Sequence, residues 1–368
     1  MHYHLILTEL CNSKCRYCYG KSLREFKNKL SKKFKFDFSA PPVLSISVTK
    51  LRNFLKKDKN PVLIFYGGEP LLEIDKIKEI IDNINIPFRM QTNGKLLHKL
   101  PIRYLKKIEK ILVSIDGSRE ITDFNRGLGT YDTVIHNISL IKSKGYSGEI
   151  IARMTVSSCF PHIYEQVISL ANLGFTSIHW QLDAGFYQFD FNKSEFQKFV
   201  RTYNPSISKL VNFWISKIKK GYVLRLYPFI AIVDSLLKNE KVKLRCGAGH
   251  SGYAITTDGK IVACPIMNHM EEFVAGNIEM NPNELKKFEI GGGCLKCSIK
   301  DLCGGRCLYW NKTKLWPREG NILICATIHH LITELKKKLG IIKSLIRKGT
   351  IPLETFSYEK YFGPEIIP

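Results

Sequence analysis

The sequence predicts an α/β fold followed by a cysteine-rich region. Three observations predict it. Short apolar runs alternate with amphipathic stretches through the first two-thirds of the chain. The runs are almost continuously apolar, as in parallel strands covered on both faces. From Cys246 to Cys325 the texture changes to Gly- and Cys-rich sequence with little periodicity.

Strands are expected at 3–8 (YHLILT), 62–67 (VLIFYG), 88–93 (FRMQTN), 111–116 (ILVSID), 149–156 (EIIARMTV) and 178–183 (IHWQLD). Helical spacing lies between them in VTKLRNFLKK, LEIDKIKEIIDNI, YDTVIHNISLIKSKG and IYEQVISLANLG. Six such units fit an open doubly wound sheet or an incomplete barrel, and periodicity does not choose between them. Longer helices are expected over about 194–219 and 224–238, then an amphipathic helix with a glycine break over 327–348. The tail YFGPEIIP reads as loosely ordered. The expected domains are 1–220, a linking helix at 221–245, a region at 246–326 held by metal rather than by a core, and a C-terminal helix and tail at 327–368.

With 368 residues, 44% of them hydrophobic, the chain can bury a large core and a smaller companion. No run approaches the roughly 20 apolar residues of a membrane span. The N-terminus MHYHLILTEL lacks the basic segment and cleavage site of a signal peptide, so a cytoplasmic location is expected. Eleven cysteines at metal-ligand spacings, without an export signal, read as reduced and metal-binding. The net charge of +23 is scattered along the chain, and charge alone does not favour a nucleic-acid partner.

The first cysteines, in LTELCNSKCRYCYG, are Cys11, Cys15 and Cys18, spaced C-x3-C-x2-C directly after the first strand. That places them at the carboxyl edge of the sheet, where parallel α/β folds carry their chemistry. Three thiolates can hold zinc with a fourth ligand from elsewhere. They can also hold three irons of a [4Fe–4S] cluster and leave the fourth iron open.

With Tyr17 before its last cysteine, the motif resembles the signature of the radical S-adenosylmethionine superfamily. The resemblance implies a partial (β/α)6 barrel. It also implies an open iron that binds the amino and carboxylate groups of S-adenosylmethionine. Reductive cleavage then yields a 5′-deoxyadenosyl radical that abstracts hydrogen from substrate. The chemistry belongs to the cofactors, and the protein positions them. In YGGEP, Gly67 and Gly68 would let the backbone approach a ligand, Glu69 is an anion at the same sheet edge, and the resemblance implies that this segment, through Pro70, holds the cofactor's ammonium group. Thr92 and Asn93 in QTNG, and Ser114 and Asp116 in SIDG, place short polar groups at the same rim. Arg153 in ARMTV is a candidate for the cofactor carboxylate. Arg126 in FNRGLGTYD is another, with a surface salt bridge as its alternative. In WQLD, Gln181 and Asp183 point away from Trp180 and Leu182 and are the candidate catalytic residues of the substrate cavity.

The later cysteines read Cys246-x17-Cys264, then Cys294-x2-Cys297-x5-Cys303-x3-Cys307, then Cys325. Alone they also suit zinc ribbons. In this chain their order resembles the SPASM extension, which carries two auxiliary [4Fe–4S] clusters and would bring the total to three. The resemblance assigns Cys294, Cys297, Cys303 and Cys325 to one cluster, and Cys246, Cys264 and Cys307 to the other. Some relatives have an eighth cysteine where this chain has Gly252, so the fourth ligand of the second cluster falls to substrate or to a group such as His250. Pro265 stands where sulfatase-maturing relatives carry an aspartate base, which argues against that activity in its usual form. Cys159 lies outside both sets and reads as a small buried residue.

The resemblance therefore implies an oxygen-sensitive radical oxidoreductase that modifies a peptide or protein side chain, reduced by a low-potential ferredoxin or flavodoxin. Maturation of a small molecule such as a haem-type cofactor, and RNA modification, are the alternatives. Because the first strand begins at residue 3, no N-terminal module for gripping a leader peptide is expected. Substrate capture would fall to the barrel mouth, the basic surface or a separate protein.

Overall fold

The computed structural model describes residues 1–20, 30–187 and 191–368, which divide into two compact units. The first comprises Met1–Ile115, Arg119–Ile151 and Gly247–Glu289; the second comprises Asp116–Ser118, Ala152–Cys246 and Ile290–Pro368. All six expected strands are present: β1 (His2–Thr8), β2 (Val62–Gly67), β3 (Phe88–Thr92), β4 (Ile108–Ser114), β5 (Glu149–Val156) and β6 (Ser177–Leu182). Four shorter ones follow: β7 (Arg225–Leu226), β8 (Gly252–Ile255), β9 (Lys260–Val262) and β10 (Val274–Asn277). The helices that matter below are α1 (Val48–Leu55), α2 (Ile74–Asn83), α3 (Ile102–Leu105), α4 (Arg119–Arg126), α5 (Thr130–Ser143), α6 (Ile163–Asn172), α7 (Lys193–Ile218), α8 (Tyr227–Lys238), α9 (Lys300–Cys303), α10 (Leu308–Thr313) and α11 (Arg318–Arg347).

In the first unit the strand order is β10-β9-β8-β1-β2-β3-β4, with β8 through β4 all parallel. β1 is hydrogen-bonded on both edges, which is why YHLILT is so apolar: Leu5 and Leu7 are fully buried. On one face the Tyr3 ring meets Phe54 of α1 edge-on, with centroids 5.2 Å apart. α1 starts where Ser47 Oγ accepts from the Lys50 amide, and it buries Val48, Leu51, Phe54 and Leu55 at helical spacing. The β1–β2 register slips between Ile6 and Thr8, at the point where the chain leaves the sheet for the first cysteine loop.

The expected boundary at Cys246 is corrected here. Residues 247–289 belong to the first unit, where β8 pairs with β1 and buries Tyr253, Ala254 and Ile255. Ala254 of β8 and Val262 of β9 pack in one apolar cluster with Ile6 of β1 and Tyr66 of β2, and Ile261 is fully buried. Strands of three and four residues are too short to show a period, so sequence pattern did not find them. Residues 221–245 are likewise no separate linker, since α8 lies within the second unit.

The second unit holds the end of β5, with β6 and β7 beside it in that order. Trp180 of β6 donates from Nε1 to the Tyr203 hydroxyl at 2.9 Å and meets Phe229 of α8 edge-on. Trp214 of α7 donates to the Leu224 carbonyl at 2.8 Å and packs on Phe229 and Phe356. α11 begins at Arg318 and runs through Gly340 without a break, because one glycine costs a helix only about 1 kcal/mol. The tail is not loose: Phe362 and Ile367 are buried and Glu365 is fully buried. Its apolar anchors have no helical or strand period, so they were unreadable as structure. Among the described residues no helix is long and apolar enough to cross a membrane.

Candidate active site and iron–sulfur centres

The first cysteine loop is pinned before it reaches its thiols. The Glu9 amide donates to the Pro42 carbonyl at 2.8 Å, and the Leu10 amide to Thr8 Oγ1 at 3.2 Å. The glycine pair of β2 packs on the same backbone. A Cβ at Gly68 would stand 2.2 Å from the Leu10 carbonyl oxygen, and one at Gly67 2.3 Å from that of Thr8. The Gly68 and Glu69 amides instead donate to the Thr8 and Leu10 carbonyls at 2.8 and 2.9 Å. Their close approach in the structure is to the chain's own cysteine loop.

Glu69 is fully buried and accepts three hydrogen bonds: from Thr92 Oγ1 at 2.7 Å, the Asn93 amide at 2.7 Å and the Leu71 amide at 3.1 Å. The last makes it the N-cap of a short 3-10 turn that Pro70 begins. Desolvation nonetheless pushes its carboxyl up to about 7. Asn93 reaches the cysteine loop, with Nδ2 2.6 Å from Asn12 Oδ1, 3.4 Å from Ser13 Oγ and 3.8 Å from Cys11 Sγ. Cys11 is exposed, while Cys15 and Cys18 are half-buried. Desolvation of its sulfur pushes the Cys11 thiol up; a hydrogen bond from the Ser13 backbone opposes this, and the charges of Glu69, Cys15 and Cys18 reinforce it. The three thiols and the carboxylate therefore share one electrostatic neighbourhood. A thiol raised in this way fits a cationic cluster core, which would hold it as a thiolate.

α4 grips the other side of the loop, a contact that sequence reasoning missed. The Arg16 amide donates to the Asn125 carbonyl at 2.8 Å, Arg16 Nε donates to Phe124 O at 2.8 Å, and its guanidinium lies 3.9 Å from the Phe124 ring centre. Arg126 is buried, not a surface salt bridge, with its guanidinium 5.2 Å over the Tyr17 ring. Also missed was Tyr19, whose hydroxyl hydrogen-bonds that of Tyr66 and lies within electrostatic range of Cys18 and Cys264. Ser114 ends β4 in this unit. Cys264 precedes a 3-10 turn whose first residue is Pro265, and His250 Nδ1 lies 2.9 Å from Ser251 Oγ.

In the second unit, Asp116 is fully buried and accepts from the Thr155 amide at 2.9 Å. Arg153 Nη2 donates to Gln181 Oε1 at 3.3 Å, which joins two predicted residues on β5 and β6. The Asp183 amide donates to Val156 O at 2.9 Å, and its side chain is half-buried. His179, two residues before Gln181, was not singled out: its ring is fully buried, and burial, then the Arg153 charge, hold it neutral. Cys159 is exposed, contrary to expectation, because it follows β5 in a surface turn.

Cys294, Cys297, Cys303 and Cys325 line one pocket together with Arg306 and Trp310. The turn CGGRC makes this possible. Gly304 and Gly305 take φ of 69° and 93°, and a Cβ at Gly305 would stand 2.7 Å from Ile290. The Cys303 sulfur then accepts from the Gly305 and Arg306 amides, and that of Cys294 from Asn311. Cys297 Sγ lies 3.8 Å from His329 Nε2. Burial pushes the thiols of Cys294, Cys303 and Cys325 up, the last to about 11. Four thiols lining one pocket, with N–H donors on the sulfurs of Cys294 and Cys303, suit a fully ligated cluster. Cys307 occupies the N-cap position of α10, where burial pushes its thiol up, and Cys246 is half-buried.

The Radical SAM superfamily profile matches residues 5–158. A cysteine-type anaerobic sulfatase-maturating enzyme of Clostridium perfringens strain 13 is 25% identical over 334 residues, covering 81% of this chain and 85% of the relative. The radical SAM cyclopropyl synthase TigE of Paramaledivibacter caminithermalis is 22% identical over 331 residues, 83% of this chain and 67% of TigE. Among solved structures, anSMEcpe with bound AdoMet and Cp18Cys peptide superposes with a TM-score of 0.69 at 19% identity, over 93% of this chain and 99% of that one. SuiB of Streptococcus suis bound to its precursor peptide SuiA follows at a TM-score of 0.55 and 15% identity, over 85% of this chain and 72% of SuiB. The cysteine loop, the matching profile and the relatives agree: residues 5–158 carry a radical SAM domain, and a cysteine-rich C-terminal region follows it.

Proposed function

We propose that this enzyme modifies a side chain of a peptide or protein substrate by hydrogen abstraction. The observation that carries the reading is the extent of the likeness. Sulfatase-maturating relatives align over 81% of the chain, and the solved neighbours include complexes with peptides. When bound, a reduced [4Fe–4S] cluster and S-adenosylmethionine supply a 5′-deoxyadenosyl radical. Cys11, Cys15 and Cys18 would hold that cluster, and Glu69, oriented by Thr92, Asn93 and Leu71, would accept from the ammonium of S-adenosylmethionine. Arg126, Arg153, Ser114 and Asp116 are the proposed contacts for the rest of the cofactor, and Gln181 and Asp183 for the substrate.

Cys294, Cys297, Cys303 and Cys325 are proposed to ligate one auxiliary [4Fe–4S] cluster, supported by their shared pocket. Cys246, Cys264 and Cys307 are the proposed ligands of the other. Pro265 begins a 3-10 turn and carries no base, which supports a peptide modification other than sulfatase maturation. A low-potential ferredoxin or flavodoxin in the cytoplasm is the proposed electron source. Anaerobic reconstitution tests the reading: 5′-deoxyadenosine release should rise with a candidate peptide, and that peptide should change mass. Release without any change in co-expressed peptides would sink it.

A further inference from the structure

The CGGRC turn buries a cation that its protein partners do not neutralise. Arg306 is 3% exposed and takes φ 60°, in the left-handed region, directly after two left-handed glycines. A non-glycine residue is disfavoured there, so the guanidinium is kept against backbone strain. Nη1 donates to the Ala184 carbonyl at 3.2 Å and Nη2 to that of Leu182 at 3.5 Å. The Phe186 and Trp310 ring centres lie 5.6 and 5.5 Å away. Carbonyls and rings solvate the charge without cancelling it. Among the described residues no carboxylate meets it, and the groups within its electrostatic range are the thiols of Cys307, Cys325 and Cys303 and the Tyr203 hydroxyl. A fully buried guanidinium without an anion costs several kcal/mol. Arg306 also lines the pocket shared by Cys294, Cys297, Cys303 and Cys325.

We propose that Arg306 is the counter-cation of the auxiliary cluster in that pocket and raises its reduction potential. The inference rests on the ligand set proposed above. One electron from the low-potential donor makes the cluster more negative by one charge, and no proton moves to or from the guanidinium. A fixed, desolvated cation stabilises the more negative state more than the less negative one. Arg306 is thus a positioning and electrostatic residue, not a catalytic one.

The test uses the full chain with C11A, C15A and C18A, so that only auxiliary iron remains, reconstituted anaerobically. Iron and sulfide are counted, and the clusters are titrated with electron paramagnetic resonance detection in this background and with R306Q or R306K added. R306Q is expected to lower the reduced-to-oxidised ratio at a fixed potential about tenfold, equivalent to about 59 mV for one electron. R306K, which keeps the charge, should stay near the background value. An R306Q titration that superposes on the background overturns the proposal while leaving the ligand set intact. If R306Q takes up no iron but R306K does so at the background potential, the charge itself is required and the proposal stands. If neither variant takes up iron, the fork to the two carbonyls is what matters and the proposal fails. A background protein that binds no auxiliary iron refutes the ligand set instead.

Discussion

The two cysteine regions place charges of opposite sign beside their thiols. In the first unit, three thiols occupy a partly exposed loop, and the buried group next to them is a carboxylate, Glu69. In the second, four thiols line one pocket, and the buried group next to them is a guanidinium, Arg306. The carboxylate suits a site that admits a ligand with an ammonium end, and the guanidinium suits one that stores negative charge. The backbone solutions differ too. Gly67 and Gly68 let one loop pack on another, whereas Gly304 and Gly305 curl a single turn so that its amides face a sulfur. Exposure and charge together separate the proposed reaction site from the proposed auxiliary site, although both are marked by the same residue type.

The sharpest way to break this contrast is to remove the first thiols. With C11A, C15A and C18A combined, 5′-deoxyadenosine release should fall by at least about 10³-fold while about two-thirds of the iron remains. Loss of all the iron would mean that the two regions are not independent centres. Next comes G68A, whose Cβ would meet the backbone oxygens of Leu10 and Glu9 at 2.2 and 2.6 Å, where no rotamer can relieve it. It should destabilise the protein by about 3–5 kcal/mol in urea denaturation; a variant as stable as the parent would disprove the packing role.

E69Q should weaken S-adenosylmethionine binding about 10–100-fold by equilibrium dialysis. Because burial holds the Glu69 carboxyl at about 7, its charge fades below that pH. Affinity in the parent should therefore rise between pH 6 and 8, and the E69Q profile should be flat. Equal slopes would remove Glu69 from the ammonium site.

Glu365 supplies the corresponding test in the second unit, since burial also holds its carboxyl at about 7, against an ordinary value of 4.5. The folded chain binds this proton more tightly than the unfolded chain. Its contribution is fully present below 4.5 and is lost as pH rises to about 7. E365Q should be more stable at pH 8 by about 1–3 kcal/mol, with a flatter melting profile from pH 5 to 8. A destabilised E365Q at pH 8 would mean the ionised form is held by a partner. The smallest effect is expected for C159S: this cysteine is exposed and outside both regions, so stability should stay within about 0.5 kcal/mol and iron content unchanged.

Much of this was legible beforehand, for stated reasons. Buried parallel strands must be apolar along their length, so YHLILT and VLIFYG announced β1 and β2 within a residue. The order of the later cysteines resembles the SPASM extension, and that resemblance singled out the four that share a pocket. Arg16, Asn12 and Ser13 were not legible, because what matters about them is contact with α4 and Asn93, far away in sequence. His179 hid in a strand whose alternation drew attention to Trp180 and Gln181. Arg306 sat between two cysteines, where spacing was informative and the intervening residue was not.

The sequence alone determined the α/β class, the two cysteine sets and the acid after the glycine pair, because periodicity and ligand spacing are local properties of the chain. Tertiary structure alone decided that residues 247–289 extend the first unit's sheet and that the tail is buried. It also decided that Glu69 and Arg306 are the buried charges beside their respective thiols. Those outcomes depend on which surfaces desolvate which groups, and desolvation is a property of packing between distant segments that no local pattern records.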